Sequence, residues 1–96
     1  MDIDAALQRI AEAESEGDIS KDDREQQHEV YEKTFRALEE VTPDDDDEGI
    51  TVVSKWIAEQ IQSTGKRPGS RAVRQRARKY CQKNGYEIGD NDWLGA

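Results

Sequence analysis

Apolar residues recur along the chain at helical spacing in four separate blocks. Ile3, Leu7 and Ile10 stand at i, i+4 and i+7, with Ala5, Ala6, Ala11 and Ala13 filling in. That pattern predicts a short amphipathic helix over residues 3–15, ending near Gly17. Ser20 followed by Asp23 resembles a capping box with Asp in the usual Glu position, and predicts a second helix over residues 21–41. Its first turns are polar as far as Glu29. Val30, Tyr31, Phe35, Leu38 and Val41 then form one stripe, so docking is expected through the C-terminal half alone.

The second half of the chain predicts two more helices. Val53, Trp56, Ile57 and Ile61 share a face over residues 51–63, with Gly65 as the stop. Ser70 is placed to cap a helix over residues 71–83, whose apolar face is Val73, Ala77, Tyr80 and Cys81. Asn84-Gly85 is a common left-handed helix end. Tyr86, Glu87 and Ile88 have room to form a short strand, residues 89–92 a turn, and Trp93-Leu94 an apolar anchor that folds back onto these helices. Four of the six aromatic residues lie in this half, which is therefore expected to fold around Trp56, Tyr80 and Trp93.

Composition divides the chain in the same place. Residues 1–48 hold eighteen acids against five bases, and residues 49–96 four acids against nine bases, within an overall charge of −8. Between Glu59 and Glu87 there is no acid, and eight bases fall there. Thr42, Pro43 and the acidic run from Asp44 to Glu48 mark a boundary, since like charges repel and Pro stops a helix. The expected organisation is an acidic helical segment at 1–41, an acidic linker at 42–49 and a basic domain at 50–96. Such asymmetry points to a polyanionic partner for the basic half, with the acidic half as a solvating tail or competitor. The acid content also resembles that of cytoplasmic proteins from extreme halophiles, where hydrated carboxylates maintain solubility; the alternative is a disordered acidic tail.

Cys81 is the only cysteine, which excludes an internal disulfide and a thiolate zinc site and fits a reducing cytoplasm. No basic, apolar leader opens the chain and no run approaches a membrane span, so a cytoplasmic protein without membrane contact is expected. Asp44, Asp46, Glu48 and Gly49 match four positions of a calcium loop, but Lys55 stands where the bidentate Glu is required. His28 lies near Glu25, Glu29 and Glu32 as an exposed helix residue, and Cys81 on an apolar face reads as a buried, inert thiol. No nucleophile–base constellation, phosphate loop or dinucleotide fingerprint appears, so neither enzyme activity nor a cofactor or metal is expected.

The fourth predicted helix carries the most specific chemistry. Arg71, Arg74, Gln75, Arg78 and Gln82 fall opposite Val73, Ala77 and Tyr80. Guanidinium groups suit phosphate and guanine, and Gln suits adenine. The bland alternative is a solvated face built from good helix formers. The order helix, Gly65-containing turn, Ser-capped basic helix resembles helix-turn-helix DNA-binding modules over residues 52–86. The connection of residues 64–69 is longer than the usual turn, which leaves open a winged-helix-like variant with residues 86–88 as the start of a strand. The implied fold class is mainly α: a small helical domain with a helix-turn-helix-like C-terminal half and room for one short strand. The implied function is a small DNA-binding, regulatory protein. Its candidate contacts are Lys66, Arg67, Ser70, Arg71, Arg74, Gln75, Arg78, Lys79 and Gln82. Residues 1–41 would then carry homodimer or other protein contacts. The rival reading is a protein-interaction adaptor built from amphipathic helices, with no nucleic-acid role.

Overall fold

The computed structural model describes residues 2–95, which form four helices: α1 (Ile3–Glu16), α2 (Arg24–Val41), α3 (Gly49–Thr64) and α4 (Ser70–Lys83). The fold is mainly α, and no strand occurs among the described residues. α1 packs most extensively on α3, and α2 on α4; α2 and α3 also touch each other, whereas α1 and α4 do not meet. The two central helices therefore separate the two outer ones. A radius of gyration of 12.8 Å matches the ~12.5 Å of a folded chain this long.

One buried cluster draws on every helix: Ala6 and Ile10 from α1, Phe35 and Leu38 from α2, Val53 and Ile57 from α3, Val73 and Cys81 from α4, closed by Leu94. The charge boundary near residue 49 thus crosses a shared core. Trp56, Tyr80 and Trp93, expected at the centre of the second half, are only half-buried and pack against this cluster. Tyr31 and Phe35 of the first half take the central volume instead, both fully buried.

The helix ends show where local chemistry differs from the sequence expectation. α1 closes with a Schellman motif: Ile19 N–H donates to Glu14 O at 3.1 Å and Asp18 N–H to Ser15 O at 3.4 Å. The left-handed residue is Asp18, at φ 52, while Gly17 keeps a right-handed conformation. α2 begins at Arg24, not at residue 21, and the expected capping box is absent. Ser20 Oγ accepts from Asp22 N–H at 3.1 Å to close a tight turn, and Asp23 takes φ 63 without capping by its side chain. Gly69, not Ser70, occupies the N-cap of α4, and no side chain caps that helix. Its far end is as expected: Gly85 is left-handed, and a second Schellman motif sends Tyr86 N–H to Cys81 O at 2.8 Å. That closure turns residues 86–88 away with no neighbouring strand to pair with, so they are irregular.

The acidic connection between α2 and α3, expected to remain a solvated linker, is anchored. Asp46 accepts hydrogen bonds from the hydroxyls of Tyr80, at 2.8 Å, and Tyr86. Gly49 supplies the room beside it, because a Cβ there would sit 3.1 Å from the Tyr80 ring. Among the described residues no helix is long and apolar enough to cross a membrane.

Candidate nucleic-acid interface

α4 presents a row of polar side chains because its helical register places Val73, Ala77 and Cys81 against the core. Arg71, Gln75, Lys79 and Gln82 lie on the outer face at steps of four, four and three, and all are exposed. Lys66, in the turn before α4, is exposed as well, and Ser70 is half-buried at its first position. Among the described residues no ion pair engages Lys66, Arg71 or Lys79.

Three of the arginines expected on this surface have structural contacts. Arg67 is the most removed from solvent, with its side chain only 7% exposed. Its Nε pairs with Glu14 of α1, itself 5% exposed, and its Nη1 donates to the Asp22 carbonyl at 3.1 Å. Removing both charges from water is costly, so the pair is sustained by additional partners. His28 Nε2 lies 2.7 Å from Glu14 Oε1, and since a carboxylate only accepts, that nitrogen carries the proton. Arg24 approaches the same carboxylate at 3.7 Å. Tyr31 completes the cluster by donating to the Pro68 carbonyl at 2.8 Å, and burial followed by the nearby Glu14 carboxylate pushes its hydroxyl well above the usual phenol range. His28 is therefore a half-buried partner of Glu14, not an exposed residue among Glu25, Glu29 and Glu32.

Arg78 and Arg74 face the C-terminal turn. Arg78 Nε donates to the Leu94 carbonyl at 2.6 Å. The Arg74 guanidinium carbon sits 4.7 Å from the centroid of the Trp93 ring. On the opposite flank Arg76 is half-buried, and its Nε has no hydrogen-bond partner among the described residues. The surface that remains open thus consists of Lys66, Arg71, Gln75, Lys79 and Gln82, with Arg74 at its margin.

The acidic residues do not assemble a metal centre. Asp44, Asp46 and Asp47 line a cavity of about 220 Å³ beside Leu38 and Ile50. The Asp46 carboxylate is already engaged, and among the described residues no group of three His, Cys, Asp or Glu is placed to hold an ion. The Tyr86 hydrogen bond, helped by Tyr80 and the Glu48 and Gly49 backbone N–H groups, holds Asp46 below the usual carboxylate range against an opposing effect of burial. The same bond pushes Tyr86 up to about 12, and burial then Asp46 raise Tyr80 as well. Cys81 is fully buried, and burial raises its thiol, the property of an inert core residue.

Sequence reasoning found the α4 row but missed Glu14 and Trp93 as the residues that decide which arginines stay available. Glu14 is one of many acids in its half, and Trp93 was legible only as an apolar anchor. Comparison with protein-family models, with curated proteins and with solved structures found no match for this chain.

Proposed function

We propose that this is a small cytoplasmic DNA-binding protein with a regulatory role, contacting duplex DNA through the outer face of α4. The observation that carries the reading is the exposed row of Arg71, Gln75, Lys79 and Gln82, with Lys66 beside it and no carboxylate paired to it among the described residues. A helix of 14 residues is about 21 Å long and fits a major groove about 12 Å wide. Arg is suited to guanine or phosphate and Gln to adenine, so one face holds both backbone and base chemistry. α1 does not touch α4, so its carboxylates do not cover this row. The acid-rich remainder of the surface suits a chain kept soluble in concentrated salt, where base-edge contacts must carry more of the affinity because counterion release weakens.

The test is duplex binding measured by fluorescence anisotropy across a salt series, comparing the parent with an Arg71→Ala, Gln75→Ala, Lys79→Ala triple variant. All three positions are exposed, so the thermal melt should be unchanged. The triple variant is expected to lose binding, and each base that neutralises a phosphate should lower the salt slope by about 1 when replaced singly. Binding equal to the parent's would remove this reading and leave the protein-interaction adaptor in its place.

A further inference from the structure

Arg74 is held against an aromatic ring rather than by a carboxylate or a carbonyl. Its guanidinium rests against Trp93, and no hydrogen bond or ion pair engages it among the described residues. Only its Nε is buried without a partner, so the terminal Nη groups reach solvent. The ring beneath it is itself fixed. Trp93 Nε1 donates to Thr34 Oγ1 on α2 at 2.8 Å, the Trp93 backbone N–H donates to Asn91 Oδ1 at 3.0 Å, and the adjoining Leu94 is fully buried. Thr34 in turn donates to Val30 O at 2.9 Å, which satisfies a hydroxyl that is wholly inside the fold. Lys33, also on α2, places its ammonium 5.5 Å from the same ring centroid.

A guanidinium stacked on an aromatic face keeps its planar edge available, and that fork matches two phosphate oxygens. An arginine already restrained loses less conformational freedom on binding than a mobile one. Arg74 lies between the turns of Arg71 and Arg78, at the margin of the exposed row, where the wall of a groove would meet the helix. We propose that Arg74 contacts a backbone phosphate of the bound nucleic acid and that Trp93 is its positioning residue, an inference that rests on the DNA-binding reading of α4. The C-terminal turn is then part of the binding site: it fixes one cation for the sequence-independent backbone, while the exposed Arg71 and Gln75 address bases.

The experiment repeats the anisotropy salt series with Arg74→Ala, Arg74→Lys, Trp93→Leu and Trp93→Phe. Arg74→Ala should weaken all duplex sequences alike and lower the salt slope by about 1. Trp93→Leu keeps every charge, so its slope should equal the parent's while affinity falls about two- to fivefold, the size of an exposed cation–π contact. Trp93→Phe should recover most of that loss. Arg74→Lys should keep the slope and still bind more weakly, which secures the test should Trp93→Leu fail to fold. An unchanged slope in Arg74→Ala, or parental affinity in a folded Trp93→Leu or in Arg74→Lys, overturns the proposal while the DNA-binding reading stands. A parent chain that binds no duplex overturns both.

Discussion

Asp46 stands in a run of five acids that, by charge alone, should remain in water, yet it is the one whose carboxylate meets two phenols. Its consequence for stability follows from the direction of the shifts. Because the folded form holds Asp46 below its unfolded value of about 3.9, its contribution is full above that pH and is lost as the pH falls through the folded value. Tyr86, raised from 10.0 to about 12, contributes below pH 10 and loses its contribution as the pH rises toward 12. Asp46→Asn should therefore flatten the acid limb of the melting temperature against pH. In the same variant the phenolate absorbance of Tyr86 should titrate closer to 10; titration that stays near 12 would assign the shift to something other than this bond. Nothing in the sequence separates Asp46 from Asp45 or Asp47, because the distinction depends on Tyr80 and Tyr86, which lie more than thirty residues away.

Helix positions and their apolar faces were legible because both follow from spacing within one segment: Val53, Ile57 and Ile61 on α3, and Val73, Ala77 and Cys81 on α4, are all buried as their registers require. Helix starts were less so. The sequence offers Ser20 and Ser70 as caps, but the turn geometry selects Asp23 and Gly69. Contacts between elements were not legible at all, and the cluster at Glu14 is the main case. It joins α1 to α2 through His28 and to the turn before α4 through Arg67. Glu14→Ala would leave Arg67 buried without its counter-ion, with an expected loss of about 3 to 5 kcal/mol. Glu12→Ala, exposed on the same helix, should stay within about 0.5 kcal/mol. Urea unfolding of the two variants checks this, and equal midpoints would show that Arg67 escapes to water at little cost.

The molecule as a whole has one core assembled from both charge halves, so removing residues 1–48 withdraws Ile10, Tyr31, Phe35 and Leu38 from it. The remaining fragment is expected to lack cooperative unfolding and dispersed amide resonances; a sharp thermal melt from residues 49–96 alone would contradict this. The influence of the acidic half on the proposed DNA binding therefore has to be measured with point substitutions in the full chain. The packing of α1 on α3 also bears on how the chain is made. During synthesis α1 emerges well before its partner, for roughly fifty residues separate it from the end of α3. At about 5–20 residues per second, Ala6, Ile10 and Ala13 wait several seconds for α3, the helix against which α1 packs most. Until α3 has been translated, the like charge of Asp2, Asp4, Glu12, Glu14 and Glu16 around that nascent stretch is expected to oppose its association with neighbouring chains on a polysome.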